Sequence, residues 1–261
     1  MQPKSDFKTI VESVLKKKFL NGSLSRVCQQ DDPVSARVFA DYGAIFIADG
    51  ITLPNRCIFE TERLVQRFQS QAEPYEMTIG GVRVVLQRAA MTAFEAAYDE
   101  AEKRGLKITP RGGSAASTRS YTKTVELWQS RFNPGLNHWT KKGKISARDA
   151  AVARAVPIAE QVKMVLEWEK KGIYFSQDRS KSILYSVAVP GASQHVFMLA
   201  LDVEQFGNKK VREILAKHGW FQTVKSDLPH FTFLGRKESE LPQLGLKREQ
   251  FGDHIFWIPN M

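Results

Sequence analysis

A chain of 261 residues, 43% of them hydrophobic, is long enough to bury a sizeable core, as one elaborated domain or as a domain with an extension. No apolar run approaches the ~18 residues a membrane-spanning helix needs, and Met1 to Ser5 lacks the charged-then-apolar pattern of a signal region. The net charge of +10 is uneven, because Lys103 to Lys144 carries ten bases, Arg119 and Arg131 among them, against one acid, Glu126. Such a segment either attracts polyanions or forms a solvated basic face. No recognised nucleic-acid motif accompanies it, so nucleic acid is not the expected partner.

Phe7, Ile10, Val11, Val14, Leu15 and Phe19 recur at helical spacing and predict an amphipathic helix over 6–20, stopped by Asn21-Gly22-Ser23. Cys28 and Cys57 are too few and too badly spaced for a Cys-based zinc site. In an oxidising compartment they can pair, closing a loop of about 30 residues worth ~3 kcal/mol, and in a reducing one they are two buried thiols. Ala44 to Ile47 reads as a short buried strand, Glu60 to Ser70 as a helix, and Ile79 to Leu86 as a half-buried strand with Val82, Val84 and Leu86 alternating. The Ala-rich stretch Arg88 to Arg104 is the strongest helix signal, with Gly105 as its stop.

Leu106 to Thr109 reads as a strand that enters a Pro110-Arg111-Gly112-Gly113 loop leading to Arg119. Helices follow over 119–131, 146–155 and 158–171, with 133–144 a connection marked by Pro134, Gly135 and Gly143. A short helix over 208–217 and strands over 220–224, 230–234 and 254–258 complete the chain. Helices and short strands in this order define an α+β class, an antiparallel sheet core flanked by helices. Residues 1–75 read as an N-terminal extension of helical and mixed character, and 76–261 as the main domain.

His195, Asp202 and His230 offer two imidazoles and a carboxylate, the donor set of a zinc that keeps its fourth position for water. His195 and Asp202 are an odd number of positions apart, so a regular strand aims them at opposite faces and the chain between them has to turn or bulge. Asp227 lies three positions before His230 and needs a bend, which Pro229 can supply, to reach the same point. His138, His218 and His254 read as ordinary structural histidines.

Ser193, His195, Ala200 and Asp202 match four of the five named positions of the pattern SxHxxGxAxD, with Met198 in place of its Gly. His230 matches the later ExxH, with Asp227 in place of its Glu. With Ser117-Thr118-Arg119-Ser120-Tyr121 and Pro190-Gly191, these stretches resemble the D-alanyl-D-alanine metallopeptidases, the carboxypeptidase and dipeptidase group placed with lysostaphin-like enzymes. The likeness covers roughly residues 105–235.

The resemblance implies one zinc ion held by His195, Asp202 and His230, with Asp227 as general base and acid. It implies that Arg119 acts on the peptide carbonyl oxygen or a substrate carboxylate, and that Ser193 hydrogen-bonds the terminal carboxylate. The residues alone leave alternatives open: Asp227 as a turn cap, Arg119 as one more solvated base, Ser193 as turn chemistry. The activity implied is zinc-dependent hydrolysis of peptidoglycan stem peptides, as a D-Ala-D-Ala carboxypeptidase. An endopeptidase, or a catalytically weak cell-wall-binding module on the same fold, is the alternative. Anionic cell-wall polymers then become the partners the basic segment fits. The expected location is extracytoplasmic, periplasmic or cell-wall associated, with the signal peptide not part of this chain.

Overall fold

The structure, a computed structural model, describes residues 6–261; Met1 to Ser5 lie outside the described residues. Helix α1 (Phe7–Lys18) buries Phe7, Val11 and Leu15, the predicted apolar stripe, and Asp6 caps its start by accepting from the Lys8 amide. It is followed by α2 (Leu24–Val27) and α3 (Pro33–Tyr42), the latter capped by Asp32 with Pro33 at its first position. Cys28 and Cys57 are joined as a disulfide with Cα atoms 5.2 Å apart.

Ala44 to Ile47, expected as a strand, lies in a 3₁₀ helix (Gly43–Ile47) that continues α3 and is buried along its whole length. A short run of apolar residues fits either element, and here the Gly43 amide stays bonded to the Phe39 carbonyl, so the chain keeps turning. Helix α4 (Glu62–Gln71) follows.

The strand expected over 79–86 is instead the turn and second arm of a hairpin, β1 (Pro74–Ile79) paired with β2 (Val82–Gln87). Gly80 and Gly81 occupy its turn with φ of 56° and 78°, the left-handed pair that a tight two-residue hairpin requires. Helix α5 (Arg88–Lys103) ends one residue before the predicted limit.

Leu106 to Thr109 forms no strand. The segment touches the sheet at one bridge, Pro110 to Val203, and the Thr109 amide bonds to the Gln205 side chain instead of a ladder partner. Helix α6 (Tyr121–Lys141) runs ten residues further than expected and carries Pro134 inside it, so the connection expected over 133–144 is mostly helix. Burial explains the difference: Trp128, Phe132 and Leu136 lie in the core, and Trp128 stacks on Phe132, which stacks on Phe175. Packing of that face outweighs one lost helical hydrogen bond.

Helices α7 (Ala147–Ala155) and α8 (Ile158–Glu169) close this side. The central sheet is antiparallel and small: β3 (Ala200–Asp202), then after α9 (Lys209–Lys217) β4 (Trp220–Phe221) and β5 (His230–Phe233), in the order β3-β5-β4. A second hairpin pairs β6 (Leu246–Phe251) with β7 (His254–Pro259). The sequence showed only β7, because β6 is largely exposed and polar. The fold is α+β. One apolar core runs from Phe7 in α1 to Trp257 in β7, so the first 75 residues and the rest share it. No helix of the described residues is long and apolar enough to cross a membrane.

Candidate metal centre

The register of β3 on β5 sets Asp202 opposite His230, and directly opposed residues emerge on one face of a sheet. His195 arrives from outside the sheet. The segment 193–199 is a series of turns in which the Val196, Phe197 and Met198 amides bond back to Ser193, Gln194 and His195 carbonyls. That coil resolves the parity problem between His195 and Asp202. It is held from several sides: Gln69 of α4 donates to the Arg119 and Val196 carbonyls, and Gln87 donates to the Phe197 carbonyl.

Ahead of the coil, the Gly191 carbonyl accepts from the Phe59 amide, and the Gly191 amide donates to Thr124 Oγ1 at 3.1 Å. A Cβ at Gly191, where φ is +79°, would stand 1.9 Å from the Phe59 carbonyl oxygen, so only glycine fits. Met198, in the position of the pattern's glycine, is held at φ 56° with its side chain buried. Its backbone keeps the left-handed conformation that glycine adopts freely.

His195 Nε2, His230 Nδ1 and Asp202 Oδ1 form a triangle with edges of 3.1, 3.3 and 3.3 Å. Donors bound at ~2.0–2.1 Å in tetrahedral geometry stand about 3.3 Å apart, so the spacing fits a metal of zinc's size. The neighbours also fix which nitrogens carry hydrogen. His195 Nδ1 faces the Ser117 carbonyl at 3.2 Å, which can only accept, so Nδ1 donates and Nε2 keeps a lone pair. Gln194 spends its amide NH₂ on the Tyr42 carbonyl, which turns its Oε1 toward His230 Nε2 at 2.8 Å.

Nε2 of His230 is therefore the donor and Nδ1 the lone pair. Asp202 Oδ1 is buried with no hydrogen-bond donor among the described residues. Three lone pairs converge with no hydrogen between them, an arrangement that a cation satisfies. These three residues are positioned to hold a metal ion.

The electrostatics agree. Burial, aided by the charge of Arg119, pushes the His195 ring down to about 4, so it is neutral at pH 7. Burial opposes ionisation of Asp202, yet its carboxyl is held far below the usual range. Arg119 Nη2 donates to Asp202 Oδ2 at 2.7 Å and its Nε to the Ala115 carbonyl at 2.9 Å. One edge of that guanidinium is thus committed to orienting Asp202.

His195 and His230 open onto a cleft of about 250 Å³, also lined by Arg119, Ser193 and Asp227. Asp227 is folded back toward His230 by a turn in which the His230 amide donates to the Asp227 carbonyl at 3.2 Å. Burial raises the Asp227 carboxyl above the ordinary carboxylate range. The cleft also contains Tyr42, Arg131 and Tyr185. Sequence reasoning missed these residues, and likewise Gln194 and the Ser117 carbonyl behind the histidines; Gln194 sits inside the motif, but nothing in the pattern marks it. His218 and His254 are structural: His218 Nε2 faces Glu100 at 2.8 Å and His254 Nδ1 faces Gln222 at 3.0 Å.

No family model matches this chain, and no curated protein matches it. Among solved structures it is similar to the vancomycin-resistance D,D-pentapeptidase VanY from a VanB-type resistance cassette, crystallised with Zn(II). The identity is 17% and the TM-score 0.35, over 62% of this chain and 79% of that one.

Proposed function

We propose that this protein is a zinc-dependent hydrolase of peptidoglycan stem peptides, acting as a D-Ala-D-Ala carboxypeptidase. The observation that carries the reading is the carboxyl of Asp227 in the cleft onto which the His195 and His230 rings open. A zinc ion held by His195, Asp202 and His230 supplies Lewis acidity and a water activated at neutral pH.

The residues of the chain do the rest. Asp227, its proton affinity raised by burial, takes a proton from the attacking water and delivers it to the leaving amine. Arg119 fixes the rotamer of Asp202, and its uncommitted N–H groups serve the oxygen that becomes negative. Ser193 lies where a hydroxyl can bond a peptide carboxylate or carbonyl. A second cavity of about 300 Å³ shares Tyr185 and Ser226 with the cleft and offers room for the N-terminal part of a peptide.

The substrate class rests on the motif resemblance at Ser193, His195, Ala200, Asp202 and His230. The Cys28–Cys57 disulfide supports an extracytoplasmic location, where such bonds persist. The test is hydrolysis of acetyl-Lys-D-Ala-D-Ala by the zinc-loaded protein, with release of D-Ala. The C-terminally amidated peptide separates the endopeptidase alternative, which cuts it equally well. Zinc binding without release from either peptide is the result expected of a binding module.

A further inference from the structure

We propose that Arg131, on α6, is the residue that recognises a substrate carboxylate in this cleft; the proposal rests on the hydrolase reading above. Two guanidinium groups line the cleft, and they are not equivalent. The side-on edge of Arg119 is spent on Ala115 and Asp202. Arg131 forms no ion pair with an acid among the described residues, and its Nη1 bonds only to the hydroxyl of its chain neighbour, Ser130, at 3.0 Å. Its Nε is shielded from water and has no partner.

A carboxylate in the cleft cannot reach the shielded Nε, but the Nη groups, which have no acidic partner among the described residues, can give it charge-assisted bonds. Ser193 and the Asp227 to His230 pair lie on the same cleft, so the anion recognised is close to the bond that is cut. In a carboxypeptidase it is the terminal α-carboxylate. A side-chain carboxylate flanking the cut offers the same chemistry.

Equilibrium binding tests this, measured by calorimetry on the zinc-loaded protein in an Asp227→Ala background that prevents turnover. The probes are acetyl-Lys-D-Ala-D-Ala, its C-terminal amide, and an amidated peptide with a free Glu side chain before the final residue. Arg131→Gln should weaken the acid by roughly 30-fold, the size expected for a charge-assisted pair, and leave the plain amide unchanged. Arg131→Lys should recover part of the loss, which a merely structural role would not predict.

Arg131-dependent binding of the Glu-bearing amide would assign the anion to a side chain. Equal weakening of acid and amide, or none, overturns the proposal. A protein that binds the acid through Arg131 but, with Asp227 restored, never cleaves it removes the hydrolase reading and leaves this assignment. One that cleaves acid and amide alike, regardless of residue 131, does the reverse. Failure of every peptide to bind overturns both.

Discussion

Asp202 and His230 are direct cross-strand partners, and their Oδ1 and Nδ1 atoms stand 3.3 Å apart on one face of the sheet. Sheet register therefore fixes two of the three donors, and the turns of residues 193–199 supply the third. The resulting triangle is rigid because each donor has a partner behind it: Ser117 behind His195, Gln194 behind His230, Arg119 behind Asp202. Such partners tune a metal site nearly as much as the ligands do.

Gln194→Ala should weaken zinc affinity by about 10–100-fold, since His230 loses the acceptor that fixes its tautomer. Competition with a chelator of known affinity measures this, with circular dichroism checking that the fold is kept. Unchanged affinity would mean that the ring is oriented by packing alone.

Asp227→Asn should reduce hydrolysis of acetyl-Lys-D-Ala-D-Ala by about 100-fold or more, the usual range for a general base, and leave zinc content intact. His230→Ala should lose both. Equal loss of metal in the two variants would move Asp227 into the coordination set.

Met198→Gly poses a contest of two effects. Losing a fully buried methionine side chain costs about 2–5 kcal/mol, while freeing a left-handed backbone position returns about 1 kcal/mol. The variant should be less stable by about 1–4 kcal/mol in urea unfolding, even though it restores the pattern's glycine. A stabilised variant would show that strain at φ 56° outweighs packing there.

Far from the cleft, Glu100 of α5 ties this helix to the end of α9 through Lys217 and His218, each at 2.8 Å. Hydrogen bonds from Lys217 and His218 hold its carboxyl at about 2, below its ordinary 4.5. A depressed folded-state value stabilises above 4.5, and that contribution fades as pH falls toward about 2. Glu100→Gln should lower Tm at pH 7, and the gap from the native protein should close between pH 4.5 and 2. A gap independent of pH would remove the electrostatic account.

Much of the helical framework was legible because periodic apolar faces such as that of α1, and an Ala-rich stretch such as α5, carry their own signal. His195, Asp202 and His230, named from donor chemistry and spacing, do converge within 4.8 Å. What stayed hidden depended on tertiary context. Pro134 reads as a breaker, yet α6 passes through it because Phe132 and Leu136 pack into the core. Gly43–Ile47 carries an apolar run that fits either element. The acceptor behind His195 is a backbone carbonyl, which no residue type announces. Arg119 and Arg131 look alike in a basic stretch, and only the fold shows which one is already paired.

The most direct test of the central claim is zinc stoichiometry combined with X-ray absorption at the zinc edge. The account predicts one zinc per chain with two imidazole nitrogens and oxygen donors at about 2.0–2.2 Å, lost in His195→Ala and in His230→Ala. No zinc above background in the native protein, or the same zinc signal in both variants, would contradict it.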